Sequence, residues 1–599
     1  MSSSSSIDRS TDLLADLFFP LYEWAFDSRS DFVADVDRKL AEARMDETVE
    51  LFLTRAIGYG VLGGIVLWGL GTLIGYVLFA VGIVHVGSLI GLPVPNETIL
   101  TVVEAIKTPA LIVVTGLVFG LTGFAAGFAG LVAIPYTRAS SRKREINMLL
   151  PDAVSFMYAL STGGLNQLEI LESMAKADDV YGEVSLEFRS IVQETEYFDV
   201  DYRTAVRNRA LETPSDELSQ FLTDMLSIIN SGGDMSSFLE DKKNRHMRTA
   251  KQEQETALET LELFGEMYMT LSLFPLLLII VVVIMSMLGQ ADQQILYATI
   301  YGLIPGVGAG FLVLVSTVKQ DEPGDGYLRL SDDRDPIAKE PSLFDMGLIE
   351  EYVGDWAIFS RIRAREGTAE TIALLRRPHH FFKDHPLFTL GVTIPTTGAL
   401  LATAVRAGVA PTSFQGMIDS PIFGTVLYAY LPLYVIGIPL AVFYEWNVYA
   451  RHLVVDKLSE TLRKLSSAND TGLTLLESMR TVADTSSGKL GEEFARIHAK
   501  VEYGMSLQEA LVEFNNRYHI PRLSRTVNLI SKAQEASSQI SAVLTTAAQA
   551  SENQDDIDRE RKSRTRMQVV IIIMTYLTLL AVMAILKVSF LDVMAGLSQ

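Results

Sequence analysis

Cysteine is absent from all 599 residues, so disulfides, thiolate-bound metals and cysteine nucleophiles are excluded. Basic charge is also scarce: 50 lysines and arginines stand against 72 aspartates and glutamates, a formal net charge of −22. That balance disfavours nucleic acid, whose phosphates require clustered cations. It fits a salt-rich cytoplasm, where salt screens the self-repulsion of an acidic surface. No Gly-x-x-x-x-Gly-Lys-Ser/Thr occurs; Gly488-Lys489-Leu490 lacks the leading glycine and the magnesium-binding hydroxyl. Gly306, Gly308 and Gly310 lie inside an apolar run with no strand before them, which argues for close helix packing over a dinucleotide site. No serine sits in a nucleophile elbow. The adjacent His379 and His380 cannot share one helical face, and no nearby carboxylates complete a zinc site. No catalytic, cofactor-binding or metal-binding residue is therefore expected. The polar Met-Ser-Ser-Ser-Ser-Ser start runs into an acidic stretch and does not have the pattern of a cleavable signal peptide.

What the chain has is segregated polarity. Mean hydropathy is +0.25 although 20% of residues are charged, so long apolar stretches must alternate with strongly polar ones. A hydrocarbon core of about 30 Å needs roughly 20 apolar residues as a helix. Seven stretches qualify, near 57–83, 109–136, 267–289, 294–318, 387–409, 421–446 and 568–591. Basic residues mark one side: Arg138, Arg142, Lys143, Arg144, Lys319, Arg376, Arg377, Lys383, Arg451 and the run from Arg559 to Arg566. The other side has only Lys107, Arg406 and Lys587, near span ends where long side chains snorkel. The positive-inside rule then puts the N-terminus in the cytoplasm and the tail after Leu591 outside. Span prolines such as Pro275, Pro305 and Pro432 read as kinks, and no ionisable residue sits at mid-membrane to relay protons or ions.

An internal repeat organises the polar parts. Leu171–Met174 and Leu476–Met479 share Leu-Glu-Ser-Met at an offset of 305 residues. Near the same offset, Glu187-Phe188 matches Glu493-Phe494, Glu196-Tyr197 matches Glu502-Tyr503, and Leu218-Ser219 matches Leu523-Ser524. Met269-Thr270 falls opposite Met574-Thr575 in the span that follows each copy. Apolar residues recur at helical spacing in both copies, and no run alternates as a strand would. The expected fold class is all-α: a polytopic membrane protein with about seven transmembrane helices and two duplicated cytoplasmic helical-bundle domains. The expected divisions are an acidic, amphipathic N-terminal region (1–55), membrane hairpin 1 (56–136), helical domain 1 (137–265), spans 3 and 4 (266–318) and a cytoplasmic linker (319–386). Membrane hairpin 2 (387–446), helical domain 2 (447–567) and a final span with an external tail (568–599) follow.

The two copies differ in charge. Residues 137–265 hold 23 acidic and 14 basic side chains, a balance of −9, whereas 447–567 hold 16 and 17, a balance of +1. Different surfaces imply different contacts. Basic runs beside the spans can also meet anionic lipid headgroups. Thr213-Pro214-Ser215 reads as a cap followed by a proline at the first helical position. At the N-terminus, Leu13, Leu14, Leu17, Phe18, Phe19 and Tyr22 form an amphipathic helix that packs on the cytoplasmic domains or lies on the membrane; the sequence does not choose.

The region from Leu149 to Met174, with Ala159-Leu160-Ser161-Thr162-Gly163-Gly164 leading to Leu171-Glu172-Ser173-Met174, resembles the opening helix-turn-helix of the type II secretion system F domain. Glu502-Tyr503-Gly504-Met505-Ser506-Leu507-Gln508-Glu509-Ala510-Leu511 resembles that domain's Gly-x-Ser-Leu-x-x-Ala-Leu signature; the first copy, with Phe198-Asp199-Val200-Asp201-Tyr202, lacks the glycine. The resemblance covers roughly 145–290 and 452–591, and the added N-terminal hairpin and acidity resemble the archaeal branch. It implies a non-enzymatic membrane platform for a type IV pilus-like filament. Its implied partners are a cytoplasmic hexameric ATPase, pilin subunits, membrane lipid and a second copy of the chain. Interface candidates are Gly232, Gly233 and Asp234 in one copy and Glu502, Gly504 and Glu509 in the other. A permease and a signalling scaffold are the alternatives.

Overall fold

The computed structural model describes residues 13–26, 30–80, 97–287, 293–318, 323–329, 376, 378–411, 416, 420–536, 539–586 and 588. Most of the expected linker 319–386 and the tail after Leu591 lie outside the described residues, as does residue 587. Among the described residues all regular structure is helical. In chain order the helices begin with α1 (Leu13–Ala25), α2 (Asp31–Glu42), α3 (Val49–Gly75), α4 (Glu97–Thr162), α5 (Gln167–Ala175) and α6 (Asp178–Phe198). Then come α7 (Tyr202–Glu212), α8 (Asp216–Ser231), α9 (Met235–Met287), α10 (Gln293–Ala298), α11 (Ile304–Val318), α12 (Pro378–Asp384), α13 (Leu390–Arg406) and α14 (Pro421–Thr425). The rest are α15 (Leu431–Val455), α16 (Leu458–Asp470), α17 (Leu475–Thr485), α18 (Lys489–Glu502), α19 (Leu507–Tyr518), α20 (Pro521–Ala536) and α21 (Ile540–Leu586).

Among the described residues, seven helical stretches are long and apolar enough to cross a membrane: Val49–Phe79, Pro109–Thr162, Met235–Met285, Ile295–Val318, Pro386–Arg406, Pro421–Asp470 and Ile540–Val582. Three of the longest helices do not stop at the expected edge of the apolar run. Helix α4 has 66 residues, α9 has 53 and α21 has 47. At 1.5 Å per residue α4 is about 100 Å long, far more than a bilayer core requires. The domain divisions expected at 136/137, 265/266 and 567/568 thus fall inside continuous helices. Short π-helical turns at Thr299–Leu303 and Val426–Tyr430 lie just before Pro305 and Pro432. They widen the helix where proline withholds an N–H and its ring crowds the preceding turn.

The chain divides into two compact units: residues 1–153, 174–178 and 182–238, and residues 154–173, 179–181 and 239–599. In the first unit Tyr22, Val33, Val36, Leu40, Val49, Phe52, Leu53 and Ile57 make one buried cluster. The amphipathic helix α1 therefore packs on α3, and Phe18 and Phe26 add to the same cluster. Fully burying each such side chain is worth about 1.5–3 kcal/mol. Tyr136 on α4 donates to Asp35 Oδ2 at 2.6 Å. Spans 1 and 2 approach through glycine: a Cβ on Gly123 would sit 2.5 Å from the Gly63 carbonyl oxygen, and one on Gly127 would sit 2.9 Å from that of Tyr59. Glycine thereby forms the seam between spans 1 and 2. Gly306, Gly308 and Gly310, expected to serve close packing, meet no atom within 4 Å of an added Cβ, so their surface is open within this chain. The cap before α8 also differs from expectation. Ser215 is the N-cap, accepting from the Leu218 N–H at 3.1 Å, while Thr213 closes α7.

In the second unit α16 packs along α21 and α17 along α18. Thr575 Oγ1 donates to Met269 Sδ at 3.3 Å, so spans 3 and 7 touch at positions 306 residues apart.

Placing leucine at Gly123 should lower the thermal midpoint of the detergent-solubilised protein, corresponding to about 1–3 kcal/mol for overpacking. Leucine at Gly130, where an added Cβ meets open space, should leave the midpoint unchanged. Equal midpoints would remove the glycine seam as a source of stability.

Candidate functional site

The helical regions that hold α6 and α18 each contain a carboxylate where an apolar residue is expected. On α6 the stripe is Val184, Glu187, Phe188 and Ile191; on α18 it is Leu490, Glu493, Phe494 and Ile497. All eight are buried, and Glu187 and Glu493 are each only 1% exposed. Burying an ionised carboxylate is tolerated only with close partners of opposite charge. Glu187 Oε1 receives Arg142 at 2.6 Å and Arg44 at 3.0 Å, and its Oε2 receives Arg209 at 3.2 Å. Arg142 also holds Glu183 at 2.8 Å and donates to the Glu42 carbonyl. Four parts of the chain therefore converge on one carboxylate: the turn after α2, helix α4, helix α6 and helix α7. Arg44 adopts a left-handed φ of 51° to reach it. Burial pulls the Arg44 guanidinium below its ordinary value, and Glu187 opposes that shift. Helix α6 bends at Gly182, which α4 approaches so closely that a Cβ would lie 2.2 Å from Glu145 Oε1.

Glu493 is held differently. Its Oε2 receives Arg517 at 2.9 Å, and its Oε1 receives Arg496 at 2.8 Å and the Tyr518 hydroxyl at 2.9 Å. Burial, and then the hydrogen bond to Glu493, push the Tyr518 phenol well above its ordinary value. Both carboxylates are thus saturated by donors from their own and neighbouring helices. The chemistry of such a site is to fix helices in register.

The sequence-predicted residues lie at two exposed turns. Gly232 ends α8 with φ 69°, Gly233 donates to the Ile228 carbonyl at 3.1 Å, and Asp234 Oδ1 accepts from the Ser236 N–H at 3.0 Å. Glu502, Gly504 and Glu509 come together around the α18–α19 turn. Glu502 ends α18, and its side chain is 60% exposed. Gly504 has φ 99° with open space around it. Glu509 completes a capping box with Ser506, accepting its backbone N–H at 3.0 Å, and that N–H holds the carboxyl below its ordinary value. Asp199, which closes α6 in the first domain, also has a left-handed φ of 53°. His379 stacks on Trp446 with ring centroids 6.0 Å apart.

Comparison with known proteins finds one family model twice in the chain. Residues 153–283 and 461–586 each match the family described as Type II secretion system (T2SS), protein F. These two matched segments, called F domains for that similarity, together cover less than half of the chain. The F domains contain both buried carboxylates and, with their flanks, both exposed turns. An uncharacterized protein of Methanocaldococcus jannaschii is 22% identical over 459 residues, covering 74% of this chain and 69% of its own. Flagella accessory protein J of Methanococcus voltae is 28% identical over 141 residues, 24% of this chain and 25% of that one. Flagella accessory protein J of Methanocaldococcus jannaschii is 26% identical over 139 residues, 23% of this chain and 25% of that one. The match thus spans about a quarter of each flagella accessory protein. No solved structure matches the chain.

Glu187→Ala should destabilise the protein by about 3–5 kcal/mol, because the largely buried Arg142 and Arg209 lose the carboxylate they share. Glu493→Ala should cost less, because the Arg496 and Arg517 side chains it leaves are 45% and 37% exposed to water. Thermal unfolding of the purified chain reads this out, and Glu502→Ala on the exposed turn should leave the midpoint in place.

Proposed function

We propose that this chain is the membrane platform of a type IV pilus-like filament assembly system. The observation that carries the reading is the pair of F-domain matches joined to relatives named flagella accessory proteins. Seven helices fit for a membrane supply the anchorage. In this reading the N-terminus and both F domains face the cytoplasm and the C-terminus faces outward, following the basic flanks of the spans. The F domains receive a hexameric ATPase, and the spans guide pilin subunits from the bilayer into the filament. A pair of copies matches a six-fold motor by symmetry. The platform itself performs no covalent chemistry.

Long unbroken helices favour such a role. Helices α4, α9 and α21 run from apolar sequence into polar sequence as continuous helices, α4 through Pro135, and so link the cytoplasmic end to the membrane end. The exposed turns at Gly232, Gly233 and Asp234 and at Glu502, Gly504 and Glu509 are the candidate ATPase contacts.

Deleting the gene should abolish surface filaments seen by electron microscopy while pilins persist in the membrane, and complementation should restore them. Filaments that remain in a strain with no paralogue would reject the platform and favour a permease. In the complemented strain, Asp234→Lys and Glu502→Lys should each cut ATPase co-purification at least fivefold without moving the thermal midpoint. Undiminished co-purification from both would remove these turns as contacts.

A further inference from the structure

Beside Glu493, the end of α19 presents a second set of polar groups that the Glu493 cluster does not use. Arg517 and Tyr518 turn to the carboxylate, whereas Asn515 and Asn516 turn to a short non-helical segment far away in sequence, residues 323–329. Asn516 Oδ1 accepts the Leu328 N–H at 2.9 Å, and its Nδ2 donates to the Leu328 carbonyl at 2.8 Å. One amide thereby satisfies both backbone groups of one residue, as a neighbouring strand would. Asn515, fully buried, donates to the Gly326 carbonyl at 2.8 Å. Between these contacts Tyr327 stacks on His519, with centroids 5.9 Å apart and planes 15° apart. Leu328 is 6% exposed.

The fit is selective at Gly326. Its φ is 73°, and a Cβ there would lie 2.6 Å from the His519 carbonyl carbon and the Ile520 nitrogen. His519 itself has a left-handed φ of 49°, and Arg451 donates to its carbonyl at 3.5 Å. Asp325 Oδ1 accepts the Tyr327 N–H at 3.0 Å and shapes the approach. The first repeat lacks these groups. At the 305 offset of Leu218 and Leu523, the positions of Asn515, Asn516 and His519 are taken by Ala210, Leu211 and Pro214. Leu211 is 81% exposed. The amide pair is therefore a feature of the second F domain, separate from the core that both copies share.

We propose that Asn515, Asn516, His519 and Ile520 form a peptide-docking site on the second F domain that reads a short segment with glycine two residues before a buried aliphatic and an aromatic between them. Its resident ligand is this chain's own Gly326-Tyr327-Leu328, which latches the linker onto the domain. Backbone recognition by the two amides gives affinity, the absence of room for a Cβ selects glycine, and the covered site for Leu328 selects an apolar side chain. The site stands independently of filament assembly, since it rests only on contacts within this chain.

The test uses the full-length protein in lipid nanodiscs and a fluorescent synthetic peptide of residues 321–330. In the unaltered chain the tethered segment, at an effective concentration on the order of millimolar, should keep the peptide out. Gly326→Ala in the chain should unseat the tethered segment and raise peptide affinity at least tenfold. Adding Asn516→Ala to that variant should reverse the gain, and a peptide carrying the Gly326→Ala change should not bind. In parallel, trypsin cleavage after Arg329, followed by mass spectrometry, should quicken at least tenfold in Gly326→Ala and in Asn516→Ala at an unchanged thermal midpoint. Peptide binding that is equal in the unaltered and Gly326→Ala chains, or that survives Asn516→Ala, would overturn the proposal. So would an Arg329 cleavage rate that neither variant changes.

Discussion

A carboxylate in the apolar stripe of a helix is tolerated only where cations reach it, and that constraint organises both F domains. Glu187 gathers Arg44, Arg142 and Arg209, and Glu493 gathers Arg496, Arg517 and Tyr518. Purely apolar packing admits many near-equivalent slides of one helix on another, whereas a guanidinium must meet its carboxylate within a fraction of an ångström. A buried pair contributes little net stability over an apolar replacement, but losing one partner is costly. Register is what such clusters secure best. In the first unit the cluster also takes in the turn after α2, through Arg44 and the Glu42 carbonyl, and so ties the N-terminal region to the domain.

The two domains solve the same problem with different donors, and the difference propagates. Because Arg517 and Tyr518 occupy the inner face at the end of α19, the adjacent Asn515 and Asn516 are free to engage residues 326–328. The first domain ends its corresponding helix α7 with Arg209 turned inward and Leu211 exposed. The charge difference between the copies, −9 against +1, lies on top of this difference in architecture. The two matched segments thus each hold a buried carboxylate and differ at their surfaces.

The membrane part follows a simpler rule. Backbone polar groups in hydrocarbon must be satisfied within the helix, so apolar length and helical form go together. That is why the seven stretches could be located from hydropathy. Hydropathy marks where apolar residues end, whereas a helix ends where its hydrogen bonds end. Helices α4, α9 and α21 therefore continue past the apolar edge, carried by residues that favour helix in water as well.

The sequence by itself determined the all-helical class and the seven apolar stretches, because each follows from local periodicity and hydropathy. Glu187 and Glu493 were visible only as matched positions. Their interruption of an apolar stripe was the available signal, but their partners lie as far as 143 residues away. Tertiary structure alone decided that α1 packs on α3, that Ser215 rather than Thr213 caps α8, and that Gly306, Gly308 and Gly310 face open space. It alone brought Leu328 to Asn516 across 188 residues. Such contacts depend on which distant surfaces meet, and no local pattern of residue types records that.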